Sequence, residues 1–342
     1  MAIQANEIKW YQPRAINDGP TNGGRMSAIE IPDNVKNNVW PDVPQAERTS
    51  GSVKYRKSFI KIANDDDLAL IAPRLFIETQ TPGDDRVVLL AATQNDTQQE
   101  AIGYTRCYGT GNLDGDLMAG DATLMVVVEP GNGADGDEIF RNDDLIRVSD
   151  QPSLDATQGK SEFLRLTATN AVSWNGNLAT LTLADGSRPG FNYLAAETRV
   201  ASVIEGADIA ATTTTLLLSS QAGSYNHTLY PLLLDHLGTI EQIWTLTFTS
   251  ATQFTCVGDE LGIMGSGSIA ADFAPVNPDF GRPYFTLTGG LPPWGGTFQS
   301  GDTLTWTTHP AALPLWEKRT VPAGANSHSG NKVIVAISGE SA

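Results

Sequence analysis

Cysteine is scarce: Cys107 and Cys256 are the only two in 342 residues, far apart, in no CxxC pair and with no histidine at ligand spacing. A disulfide scaffold is excluded, and both are read as reduced thiols. No run of about eighteen uncharged apolar residues is present to cross a bilayer, so no membrane partner is expected. The opening MAIQANEIKWYQPR has neither the basic stretch nor the apolar core of a secretion signal, which points to synthesis in a cytoplasm. Cationic residues are outnumbered, 22 Lys and Arg against 39 Asp and Glu, for a net charge of -17. That field repels phosphate backbones, and nucleic acid is not an expected partner. It favours solubility, and a surface matched to basic partners in an assembly is the sharper reading.

Helical periodicity is also nearly missing. What is there instead is short alternation of apolar residues with Thr, Ser, Asn and Asp, bounded by Gly, Pro, Asn-Gly and Asp-Gly. This is the signal of strands and turns, and the chain reads as all-β. The expected architecture is an immunoglobulin-like sandwich plus one or two small β-barrel or split-sheet domains, with an extended N-terminal arm. Residues 1–50 carry Pro13, Pro20, Pro32, Pro41 and Pro44 so densely that few strands fit, and they are read as an arm lying on another surface. Residues 51–120 contain VKYRKSFIKI, LALIAPRLFIET and RVVLLAAT, the sandwich strands. Residues 121–204 form a small β domain of about five strands with a turn at Asn175-Gly176. Residues 205–325 form a second β domain with its connecting segment, in which HTLYPLLLDHLG alone has local helical promise. Residues 326–342 end in KVIVAIS, a strand that must pair within the chain or across to a neighbour. The spacing Phe298-x-x-Gly-Asp-x-Leu-x-Trp resembles Phe140-x-x-Asp-Asp-Leu-Ile-Arg-Val, a weak internal duplication.

A search for chemistry yields no assignment of catalytic, cofactor-binding or metal residues, and no enzyme or cofactor is expected. His227, His236, His309 and His328 form no ligand spacing. Asn112-Leu-Asp114-Gly-Asp116 and Asp135-Gly-Asp137-Glu138 place oxygens at alternating positions, but no Glu closes either loop at the twelfth position, so they are read as tight turns. Asp65-Asp66-Asp67 and Asp84-Asp85 are read as solvated hairpin tips. Gly265-Ser266-Gly267-Ser268 lacks the following helix that a nucleophile elbow requires. Aromatics carry more information. Trp174, Trp244 and Trp306 fall within strands and are assigned to the core. Trp10, Trp40, Trp294 and Trp316 stand in Pro-rich or irregular contexts and, with Tyr11, are candidate interface residues, for protein or for glycan.

Three segments together resemble structural proteins encoded in the tail modules of tailed bacteriophages with contractile or Mu-like tails. They are NNVWPDVPQAERTSGSVKYRKSFIKI at 37–62, PGDDRVVLLAATQNDTQ at 82–98 and SGDTLTWTTHPAALPLWEKRTVPAG at 300–324. The resemblance implies a virion component of the tail, neck, collar or baseplate, made in the host cytoplasm, with no catalytic residues to carry over. Its partners would be copies of itself in a symmetric ring and other tail or neck proteins. Assembly is expected through the extended arm and strand addition. The alternative is a capsid-decorating or carbohydrate-binding module that uses the loop tryptophans.

Overall fold

The strand Ser52–Ile62 is buried at every position from Tyr55 onward, although it carries Arg56, Lys57 and Lys61. A strand buried on both faces must lie centrally, with a layer packed on each side. The computed structural model, which describes residues 2–133 and 136–342, shows how this comes about. It is all-β, with 44% strand and 5% helix. None of the helices among the described residues is long and apolar enough to cross a membrane.

The central strand sits in a five-stranded antiparallel sheet, ordered Gly23–Glu30, Ile8–Ala15, Ser52–Ile62, Ala312–Val321, Arg86–Ala91. Ile60, Leu89 and Leu315 on one face meet Leu75, Ile77 and Ile204 of a three-stranded sheet made by Ile204–Glu205, Leu70–Thr79 and Ile334–Ser341. This pair of sheets is the expected sandwich. The opposite face presents Tyr55, Val88, Leu90 and Trp316 to a seven-stranded sheet running from Thr110 to Ser202. That sheet curls until Leu166 bridges Leu183, with Thr167 N donating to Thr182 O (3.0 Å) and Ala184 N to Arg165 O (2.9 Å). No barrel is closed.

A third layer is a six-stranded sheet with Thr303–His309 and Gln242–Phe248 at its centre, Gln253–Gly258 and Gly262–Ser268 on one side, and Thr212–Thr213 and Leu217–Ser219 on the other. Its inner face stacks Trp244, Phe248, Phe254, Trp294, Phe298 and Trp306 into one aromatic core. HTLYPLLLDHLG forms turns and a single bridge, Leu233 to Thr286, and no helix: Pro231 interrupts the one apolar run.

Several expectations change. Residues 1–50 are not an extended arm lying on another surface: Ile8–Ala15 and Gly23–Glu30 form a hairpin in the chain's own sheet, and Tyr11 is 5% exposed. The prolines fall where the ladder tolerates them, at a register shift beside Pro13 and in the connecting turn at Pro20. The strand Ala312–Val321 belongs between Ser52–Ile62 and Arg86–Ala91, so 205–325 is not one unit. The C-terminal strand pairs within the chain, along Leu70–Thr79. The small β domain begins at Thr110 rather than 121, with seven strands.

The two sequence-matched turns are alike in detail. Arg141 N and Gln299 N donate to the carboxylates of Asp144 (2.7 Å) and Asp302 (2.9 Å). Asp143 and Gly301 both have positive φ, and their amides donate to Thr167 O and Phe248 O. The likeness stops there, because the strands that follow have different neighbours in different orders. A shared turn accounts for the match.

Candidate interaction surface

In a chain that is 18% charged, the strands Leu217–Ser219, Gln242–Phe248, Gln253–Gly258, Gly262–Ser268 and Thr303–His309 contain no Asp, Glu, Lys or Arg. Period-two alternation turns their large residues inward and their threonines outward. Pairing then sets the hydroxyls in register. One row crosses five strands as Ser219, Thr303, Thr247, Thr255 and Ser266, and the next as Leu217, Thr305, Thr245, Val257 and Ile263. At the usual strand separation each row is roughly 19 Å long. Among the described residues nothing covers this face: Ile263 is 76% and Leu217 68% exposed.

Charge lies only at its margins, where His309 Nδ1 is 2.6 Å from Glu241 Oε2, and Asp259 and Asp302 close the turns. The hydrogen bond to Glu241 raises the His309 pKa above that of a free imidazole. The outer strand Gly262–Ser268 is an open edge without the lysine or proline that usually guards one. A face of hydroxyls and methyls beside an edge that is interrupted by one bulge, opposite Cys256 and Val257, but carries no charge can bury area against another sheet without stranding a charge. With a net charge of -17, this is also where a second copy meets the least repulsion.

The expected interface rings are elsewhere. Trp294 is 2% exposed in the aromatic core, its Nε1 donating to Thr288 O at 2.9 Å. Trp316 is fully buried, its Nε1 donating to Asp96 Oδ2 at 3.0 Å. Tyr11 packs edge-on to Phe280, and Trp10 lines the sandwich core. Trp40 lies between the guanidinium groups of Arg56 and Arg319 (5.2 and 4.5 Å), and its Nε1 donates to Glu317 Oε2 at 2.7 Å. Burial raises that carboxyl to about 7. Trp10, Tyr11 and Trp316 lie in strands of the first sheet, Trp294 opens the short strand Trp294–Gly296, and only Trp40 stands on irregular backbone, which folds back onto that first sheet. Trp244 and Trp306 are core as expected, but Trp174 is only half-buried.

The acidic tips are fasteners. Asp65 pairs with Arg282, Asp67 accepts from His236 N (2.7 Å), and Asp84 and Asp85 accept from Asn326 N and Asn331 Nδ2 (2.7 and 2.6 Å). Asp137 pairs with Lys318 at 2.8 Å, while Asp135 lies outside the described residues. The residues missed in the sequence are Arg25, Lys57 and Lys61. Arg25 holds Asp259 in a two-pronged contact (3.1 and 2.7 Å) that ties the N-terminal hairpin to the third layer. Lysine and arginine inside a β run were the available signal, since a buried strand carries them only when they are partnered.

No group of three or more His, Cys, Asp or Glu side chains is placed to hold a metal among the described residues. Cys107 and Cys256 are free and buried, and burial raises them to about 11 and about 12. Ser266 lies 3.5 Å from Thr255 Oγ1 on an exposed strand, a contact that activates neither hydroxyl. Compared with known proteins, the chain matches no family model, no curated protein and no solved structure.

Proposed function

We propose that this chain is a structural subunit of a tailed-bacteriophage virion, part of the tail apparatus, that assembles with copies of itself through rigid sheet surfaces. One observation carries the reading. The three segments that resemble tail-module proteins, distant in sequence, supply the adjacent strands Ser52–Ile62, Ala312–Val321 and Arg86–Ala91. They also supply one buried cluster: Lys57 Nζ is 2.7 Å from Asp96 Oδ1, and Trp316 Nε1 donates to Asp96 Oδ2. The resemblance therefore falls on a single physical unit rather than on scattered fragments.

The mode of assembly differs from the arm exchange expected at first, because both chain ends are already paired in their own sheets. The uncharged threonine face and the open strand Gly262–Ser268 are the surfaces offered to a second copy. Light scattering after size exclusion tests this. The wild-type chain forms a homo-oligomer, and the double variant Thr245→Glu/Thr305→Glu, which places two carboxylates on that face, is monomeric with an unchanged circular dichroism spectrum. An oligomer that persists in the variant, or a wild-type chain that is monomeric at every concentration, removes the surface from the account.

A further inference from the structure

Among the described residues, the strand Val172–Asn175 pairs only with Leu178–Thr182, at the end of the seven-stranded sheet. Among those residues, no second sheet covers its Trp174. Phe140, itself 1% exposed, backs the indole at 6.3 Å with planes 26° apart. This leaves a fixed aromatic platform, half open to water, on the floor of a groove of ≈ 430 Å³.

The rim is polar and mixed in sign. Glu138 is exposed, and Asn142 uses its Oδ1 to accept from Ala171 N (2.8 Å), which fixes its orientation. Arg141 donates through Nη2 to Thr105 O, and its buried Nε has no acceptor among the described residues. An exposed carboxylate, a guanidinium and an oriented amide around one aromatic ring can share the hydroxyl groups of a sugar whose C–H face lies on the indole. One acid beside one base, on a chain of net charge -17, disfavours an anionic ligand.

We propose that the groove between Trp174 and the loop Glu138–Asn142 binds a neutral hexopyranose unit of a glycan, its ring stacked on Trp174 and its hydroxyls held by Glu138, Arg141 and Asn142. This goes beyond the assembly role and is independent of it, since Trp174 and the threonine face lie on different sheets. Isothermal titration of the full chain with neutral gluco-, galacto- and manno-configured trisaccharides tests it. At the binding efficiency of small ligands, at least one sugar binds saturably with a Kd on the order of 1 mM. Trp174→Ala weakens that sugar by about tenfold or more, whereas Trp174→Phe, which keeps a ring, retains most of the affinity.

Thermal unfolding and light scattering of the same variants separate a lost site from a lost fold or lost assembly. Saturable binding by the wild type that disappears in a folded, normally oligomeric Trp174→Ala establishes the site. No heat from any of the three sugars, or equal binding by Trp174→Ala, overturns it.

Discussion

Lys61 lies fully buried where the first sheet meets the third layer, with no carboxylate in contact. Its Nζ donates to Leu237 O at 2.7 Å and stands 4.0 Å from the centroid of the Phe280 ring and 5.6 Å from that of Tyr11. Desolvation lowers its pKa from 10.5 to about 8, against a smaller opposing effect from Asp235. The charged form is thus disfavoured in the folded chain by about 3 kcal/mol relative to the unfolded one. Between pH 8 and 10.5 the unfolded chain binds the extra proton, so this group makes stability rise with pH. The full penalty applies below pH 8 and has faded above 10.5.

From pH 7 to 9.5 the gain is about 2 kcal/mol. Lys61→Met removes the penalty together with the contacts to Leu237 and Phe280, so its stability at pH 7 is close to that of the wild type. Urea titrations of both proteins at pH 7 and 9.5, followed by tryptophan fluorescence, cancel every other titrating group. The wild type gains about 2 kcal/mol on the variant over that interval. A difference between the two proteins that does not change with pH refutes the assignment of a desolvated cation held by a carbonyl rather than a carboxylate.

Further outcomes follow from the same packing. Trp316→Ala empties a fully buried site and deprives Asp96 of a donor, and urea unfolding reports a loss of about 3–5 kcal/mol. Gly23 has φ +102°, and a Cβ there would lie 2.6 Å from Trp316 Cη2; Gly23→Ala lowers stability by about 1–3 kcal/mol in the same titration. Arg25→Ala removes the tie to Asp259, and hydrogen exchange rises at the amides of the N-terminal hairpin while the sandwich core is unchanged. Limited proteolysis of the free protein leaves the strands 8–15, 23–30 and 334–341 uncut, because all three are paired; rapid cleavage within any of them contradicts the fold.

Much of the fold was legible because alternation is a local property. VKYRKSFIKI, RVVLLAAT, IWTLTFTS and DTLTWTT are all strands, and the turn shared by Phe140 and Phe298 was visible as a spacing. Pairing is not local. Nothing in LPLWEKRTV tells that it lies between strands more than two hundred residues away, and so the unit boundary at 325 was misplaced. Prolines in the first fifty residues argued for irregular backbone and hid a hairpin in which a register shift absorbs Pro13.

The tryptophans show the same limit. The prolines near Trp294 and Trp316 suggest irregular backbone, but both rings stand in strands, and their burial depends on what those strands pack against. Trp174 misled in the other direction: it sits in a regular strand, yet the strand lies at the end of its sheet. The threonine face could have been read from TLTFTS and DTLTWTT, since their strands lack charge, but only pairing shows that the hydroxyls align.

We propose a rigid virion subunit joined to its own copies by sheet faces. Quantitative mass spectrometry of purified, DNA-filled particles from cells producing the phage tests it most directly. The account predicts that the chain is present at a copy number that is a whole multiple of the rotational order of the tail. A chain abundant in the lysate and missing from those particles would contradict it.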